Sequence, residues 1–179
     1  MTGADVLVDS FGRIRDIVHR VVDGLQPDHV SMRLDPEANS IGWLLWHLTR
    51  IQDDHVAAVA ETEQVWTSAG WAGRFDLPLD VSDTGYGHTA TQVAVVICTP
   101  TMLREYHDAV CERTLEFVRQ LTEAALDRVV DTRWDPPVTL GIRLVSVVAD
   151  DLQHAGQAAY IRGILERGAH GGSTSGSHS

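Results

Sequence analysis

Four long segments of this chain repeat apolar residues every three or four positions, a period that commits it to helices packed on one another. In the first, about 4–25, Leu7, Phe11, Ile14, Val18, Val21 and Leu25 form one stripe, and Gln26-Pro27 ends it. The second opens at Asn39-Ser40, a capping pair before Ile41, and carries Leu44, Leu48, Ile51 and Val59 to about residue 63. The third begins at Thr99-Pro100, a cap with Pro at the first helical position. Its stripe is Leu103, Val110, Leu115 and Val118, ending near Leu121. The fourth follows Pro136-Pro137 with Thr139 as cap and runs to about Arg167, with Leu140, Leu144, Val147, Ala158, Ile161 and Leu165 facing inward. Between the second and third lies a stretch from about Thr67 to Cys98 that contains Gly70, Gly73, Pro78, Gly85 and Gly87. It predicts a crossover loop with a short helical piece, in which Val93 to Ile97 also reads as a strand without a partner run. The expectation is an all-α four-helix bundle with one long crossover connection, a single domain over residues 1–167. The Gly, Ser and His tail, 168–179, is too poor in apolar residues to fold.

Composition excludes several classes of function. The formal net charge of −11 argues against binding nucleic acid, which needs cations on the phosphates. All 14 basic residues are Arg, a sign of GC-rich coding rather than of chemistry. The opening Met-Thr-Gly-Ala-Asp lacks a basic region followed by an apolar run, and no stretch is long enough to span a bilayer. A soluble cytoplasmic protein is expected. Cys98 and Cys111 match no metal or redox spacing and read as reduced, buried thiols. Phosphate-binding glycine loops, nucleophile elbows and zinc-protease His pairs are all missing.

The polar residues that interrupt the stripes carry the functional information. At 100° per residue, His47 lies about 60° from Leu44 and about 40° from Ile51, on the flank of the inward face. Asp54 falls near that face, and His55 nearer its centre. On the fourth helix Arg143, Asp150, His154 and Gln157 draw a polar band beside the apolar one. Carboxylate and imidazole at i, i+4 can chelate one ion, with a third ligand from a facing helix; the same spacing also suits an ordinary surface pair. Spacing alone leaves Asp151 as a rival to Asp150. His and carboxylate together suit zinc, nickel or another first-row metal. His19, His29, His88 and His107 have no partner at helical spacing, and His170 and His178 lie in the tail, so these read as structural or solvent-facing. Tyr86-Gly87-His88 reads as a loop element at a pocket mouth, and the five tryptophans as core or loop anchors.

The runs Gly42-Trp43-Leu44-Leu45-Trp46-His47-Leu48-Thr49-Arg50 and Asp150-Asp151-Leu152-Gln153-His154-Ala155-Gly156-Gln157 resemble the DinB-like metalloprotein superfamily. The second location there typically reads His, three residues, His, one residue, Gly, Gln. Here Asp150 stands at the first His, as in the mycothiol-dependent maleylpyruvate isomerase branch. The resemblance implies a three-ligand site of His47, Asp150 and His154, with zinc preferred over nickel. It further implies a low-molecular-weight thiol, mycothiol or bacillithiol, as co-substrate, and the Lys-free composition suits a GC-rich mycothiol producer. The leading expectation is a metal-dependent thiol S-transferase acting on an electrophile. Arg143 and Gln157, with Asp54 and His55, would bind substrate, and the catalytic residues are unassigned. A thiol-dependent isomerase, a non-catalytic metal-binding stress protein and an inert bundle are the alternatives. An exposed apolar bundle face would permit a homodimer.

Overall fold

The computed structural model describes residues 1–171. Four long helices build the bundle, and their starts follow from local capping. Helix α1 (Gly3–Val22) opens with a capping box in which Thr2 and Asp5 satisfy each other's backbone N–H. It stops at Asp23, before Gly24 at φ +65, earlier than the apolar stripe suggested. Pro27 does not merely end a helix; it starts the short α2 (Pro27–Ser31) from the first helical position. In α3 (Ile41–Ala60) Ser40 accepts from Trp43 N, as its sequence position predicts.

The crossover connection contains three short helices, α4 (Val65–Ser68), α5 (Trp71–Phe75) and α6 (Ala90–Ala94), so the segment around Val93 is helix and turn rather than strand. Helix α7 (Pro100–Val118) has Thr99 as cap. After α8 (Glu123–Leu126), β1 (Val129–Asp131) and β2 (Val138–Thr139) pair antiparallel, an element the helical period gave no sign of. Thr139 Oγ1 then accepts from Ile142 N at the start of α9 (Leu140–Gly171). Helix α9 thus continues into the segment read from sequence as tail; the rest of that tail lies outside the described residues.

Helices α3 and α1 each pack against both α9 and α7, which closes a four-sided bundle. Its core contains Phe11, Ile14, Val18, Leu44, Leu48, Leu103, Val110, Leu140, Leu144 and Ala158. Helix α3 is unusual in being buried on every side from Ile41 to Asp53, polar residues included. The cause is the crossover connection, which wraps its outer face. Asp53 caps α4 by accepting from Val65 N at 2.8 Å and Trp66 N at 2.7 Å, and Tyr106 donates to it at 2.9 Å. The fully buried Arg50 donates to Gln64 Oε1 at 2.8 Å and to the Asp83 carbonyl at 3.2 Å. Trp66 Nε1 reaches the Val81 carbonyl at 3.0 Å. These bonds fix the loop around Asp83 against α3, one turn from His47.

Candidate metal centre

His47 on α3 meets Asp150 and His154 on α9, and the three offer ligand atoms that all lie within 4.8 Å of one another. His47 Nδ1 lies 2.5 Å from the Thr84 carbonyl, so its Nδ1–H donates there and Nε2 keeps its lone pair. His154 repeats the arrangement: its Nδ1 donates to the Asp150 carbonyl at 2.9 Å. The same nitrogen is 3.2 Å from Asp150 Oδ2, an ion-pair contact whose angle leaves that buried oxygen without a hydrogen bond. Two imidazoles anchored through Nδ1 and one orphaned carboxylate oxygen fit a divalent cation, since metal-bound His characteristically gives its other nitrogen to a carbonyl or carboxylate.

Electrostatics treat the two imidazoles differently. Burial lowers the His47 pKa, which favours the neutral imidazole a metal needs. Burial works against the Asp150 carboxylate, yet His154, His47 and His55 together hold its pKa below the ordinary value. In His154 burial is outweighed by Asp150, and the pKa rises.

A support that sequence reasoning missed stands behind His47. The Trp43 indole stacks on its ring, centroids 4.6 Å apart and planes 11° from parallel. Trp43 Nε1 donates to His88 Nδ1 at 3.0 Å, and His88 Nε2 is 2.9 Å from Asp83 Oδ1. Gly85 passes over the two rings at φ +90, where a Cβ would come within 2.8 Å of His47 Nδ1. The signal in the sequence was the Gly85-Tyr86-Gly87 spacing in an Asp-rich loop, but it names a turn and not what the turn touches. His88 is thus structural, as expected, and its side chain is almost fully buried. Trp134, expected as an anchor, is instead exposed.

Of the other expected residues, Asp54, His55 and Arg143 line one polar cavity of about 540 Å³ with Asp131, Arg128 and Arg133. His55, on the cavity wall, is near enough to Asp150 for their charges to interact. Arg143 is held in place by Asp131 at 2.9 Å. Bonds from Arg133, joined by the Arg143 charge, hold the Asp131 pKa far below the carboxylate range. Gln157 is exposed and is not among the cavity residues. Asp151, the rival carboxylate, faces the core, fully buried with both oxygens unpartnered, and is not in the cluster. A more apolar cavity of about 270 Å³ lies between α3 and α7; His47, Asp150 and His154 line neither cavity.

Bundle and cluster together define a DinB-like helical protein with a His/Asp/His group. The model of the mycothiol-S-transferase family matches residues 6–167, and the chain belongs to that family. Among solved structures it is similar to a conserved protein from Enterococcus faecalis, with a TM-score of 0.84 and 29% identity. That match covers 90% of this chain and 96% of the other. No functionally curated protein matches.

Proposed function

We propose that this protein is a zinc-dependent thiol S-transferase that conjugates a low-molecular-weight thiol, mycothiol or a close analogue, to an electrophile. The observation that carries this reading is the three-residue cluster of His47, Asp150 and His154; the polar cavity lined by His55 and Arg143 is large enough for a substrate. Family membership supports the thiol. His47, His154 and Asp150 would hold the ion, and two imidazoles with one carboxylate are a donor set that zinc accepts with a position left open. A zinc ion held there supplies a Lewis acid that favours thiolate over thiol at neutral pH.

The chain's own cysteines support an external thiol. Burial pushes Cys98 up to about 12 and Cys111 up to about 11, so neither offers a thiolate at pH 7. His55, its pKa lowered by burial and by Arg143, lines the cavity wall and would take the thiol proton. Arg143, fixed by Asp131, presents a guanidinium to an anionic or hydroxyl-bearing part of the substrate. Gln157 lies outside the cavity lining, and a role for it rests on the family pattern. Such an enzyme would work in the cytoplasm, removing electrophiles as thioethers.

The test uses metal-loaded protein, mycothiol or bacillithiol, and monobromobimane. A C–S bond forms, bromide leaves, and the thiol proton passes to base. Conjugation above the uncatalysed rate, abolished by chelation and by His154→Ala, is the expected result. No excess with either thiol would leave a non-catalytic metal-binding protein, and rearrangement of an unsaturated acid without net thiol consumption would indicate an isomerase.

A further inference from the structure

Asp54 and His55 are consecutive residues on the wall of the polar cavity, and a half-buried carboxylate in such a place ordinarily swings freely. Here it is held from behind. Gln64, the residue before α4, donates from Nε2 to Asp54 Oδ1 at 2.8 Å. The amide is itself oriented, because its Oε1 accepts from Arg50 Nη1 at 2.8 Å and a guanidinium only donates. Arg50 is wholly buried, with Nε bonded to the Asp83 carbonyl, Asp53 Oδ2 at 3.7 Å and the Trp66 ring at 4.9 Å. One buried cation that stays charged thus sets the direction of every bond from Arg50 through Gln64 to Asp54.

The other carboxylate oxygen, Asp54 Oδ2, lies 3.9 Å from His55 Nδ1. Among the described residues no hydrogen bond holds either ring nitrogen of His55, so this contact is what distinguishes them. From α9, Arg143 and Asp150 act on the ring by charge alone. Holding the crossover connection accounts for the bonds from Arg50 to Asp83 and Gln64. It does not account for the further bond from Gln64 to a carboxylate on the cavity wall.

We propose that Asp54 and Gln64 are positioning residues for His55, on the reading of His55 as the base of a thiol transferase. Gln64, clamped by Arg50, aims the carboxylate at Nδ1, which keeps the proton on that nitrogen and leaves the Nε2 lone pair to take one from the thiol. A neutral imidazole serves as base only through its bare nitrogen, and the partner of the other nitrogen decides which one that is. In the step itself the S–H bond breaks, its electron pair stays on sulfur, and the proton becomes Nε2–H of an imidazolium that Asp54 faces. A carboxylate behind the histidine of serine proteases does the same work, and its amide replacement costs about 10⁴ in kcat by presenting the wrong tautomer. At 3.9 Å the contact is longer than a hydrogen bond; catalytic contacts of this kind are often long before substrate binds and tighten in the reacting complex.

Long-range proton–nitrogen NMR of the full chain at about pH 8.5, where an ordinary imidazole is neutral, reads the tautomer without turnover. His55 should be Nδ1–H in the wild type. Asp54→Asn should turn its amide N–H to Nδ1 and force the Nε2–H form, and Gln64→Leu should give a mixture. In transfer to monobromobimane both variants should lose about 10-fold or more in kcat, with KM for the thiol changed by no more than about threefold. Gln64→Leu should cost little more once Asp54→Asn is present, because both act through one group. A merely structural Gln64 would lower stability, leave the tautomer as it is and add its loss to that of Asp54→Asn. A His55 that is Nδ1–H in all three proteins, or Nε2–H in the wild type, would overturn the proposal. Absence of thiol transfer in the wild type would count against the transferase reading, while the tautomers would still decide whether Gln64 and Asp54 orient His55.

Discussion

The bundle holds imidazole and carboxylate in two settings, and they behave in opposite ways. At the cluster, His47 and His154 are tied through Nδ1 to carbonyls, Asp150 keeps its charge, and the free atoms converge. In the core, burial drives His107 down to about 4 and lifts Asp151 well above the carboxylate range. Burial thus favours the neutral form of both core groups. His107 Nδ1 has only Thr49 Oγ1 at 3.3 Å, and its Nε2 and both Asp151 oxygens are unpartnered. Burial alone thus does not make a site. Charge is retained where several partners meet, and it is surrendered where a group is desolvated without them.

The largest effect should come from exchanging the two neighbouring carboxylates. Asp150→Asn and His154→Ala should each weaken metal binding by roughly 1,000-fold or more, read by calorimetry on chelator-stripped protein, because each removes one of the three candidate ligands. Asp151→Asn and His107→Gln should bind metal as wild type does. Equal loss from Asp150→Asn and Asp151→Asn would erase the distinction between the settings.

Much of this was legible in the sequence. Ser40, Thr99-Pro100 and Thr139 mark helix starts by their side-chain oxygens, and the long stripes supply the period, so the four bundle helices were readable. Helices of four or five residues, such as α4 and α6, offer too few positions for a period, and the β1–β2 hairpin is just as short. The candidate ligands stood out as polar residues beside apolar stripes. Choosing Asp150 over Asp151 from spacing was not feasible, because consecutive residues lie 100° apart and both border the buried face. The Thr84 carbonyl, 37 positions from His47, is a backbone atom and has no sequence signature.

The core setting should show itself in acid. The unfolded chain protonates His107 from about pH 6.5 downward, whereas the folded chain resists until about 4. Stability from this group is therefore fully present above 6.5 and is lost as pH falls through that window. The loss amounts to about 3 kcal/mol, from 1.36 kcal/mol per unit. Urea unfolding of metal-free protein at several pH values should give that slope for the wild type and a flatter one for His107→Gln. Identical slopes would show that His107 is already protonated in the folded state or reaches solvent.

The smallest expected effect tests what keeps the cluster open to metal. Gly85 and Gly87 both sit at positive φ, +90 and +73, so alanine strains the backbone at either. Only at Gly85 would the added Cβ collide with the site, against His47 Nδ1 and the rings of Trp46 and Trp43; at Gly87 it meets nothing within 4 Å. The pair thus separates a general loop penalty from displacement of a ligand. Gly85→Ala should weaken metal binding by about 10- to 100-fold, the range typical for loss of an outer partner of a metal-bound His. Gly87→Ala should change affinity less than threefold, even if both variants lose about 1 kcal/mol of stability to strain. Equal losses of affinity would mean that the loop acts only as a fold element, and that His47 is held by Trp43 and the Thr84 carbonyl regardless of what passes over it.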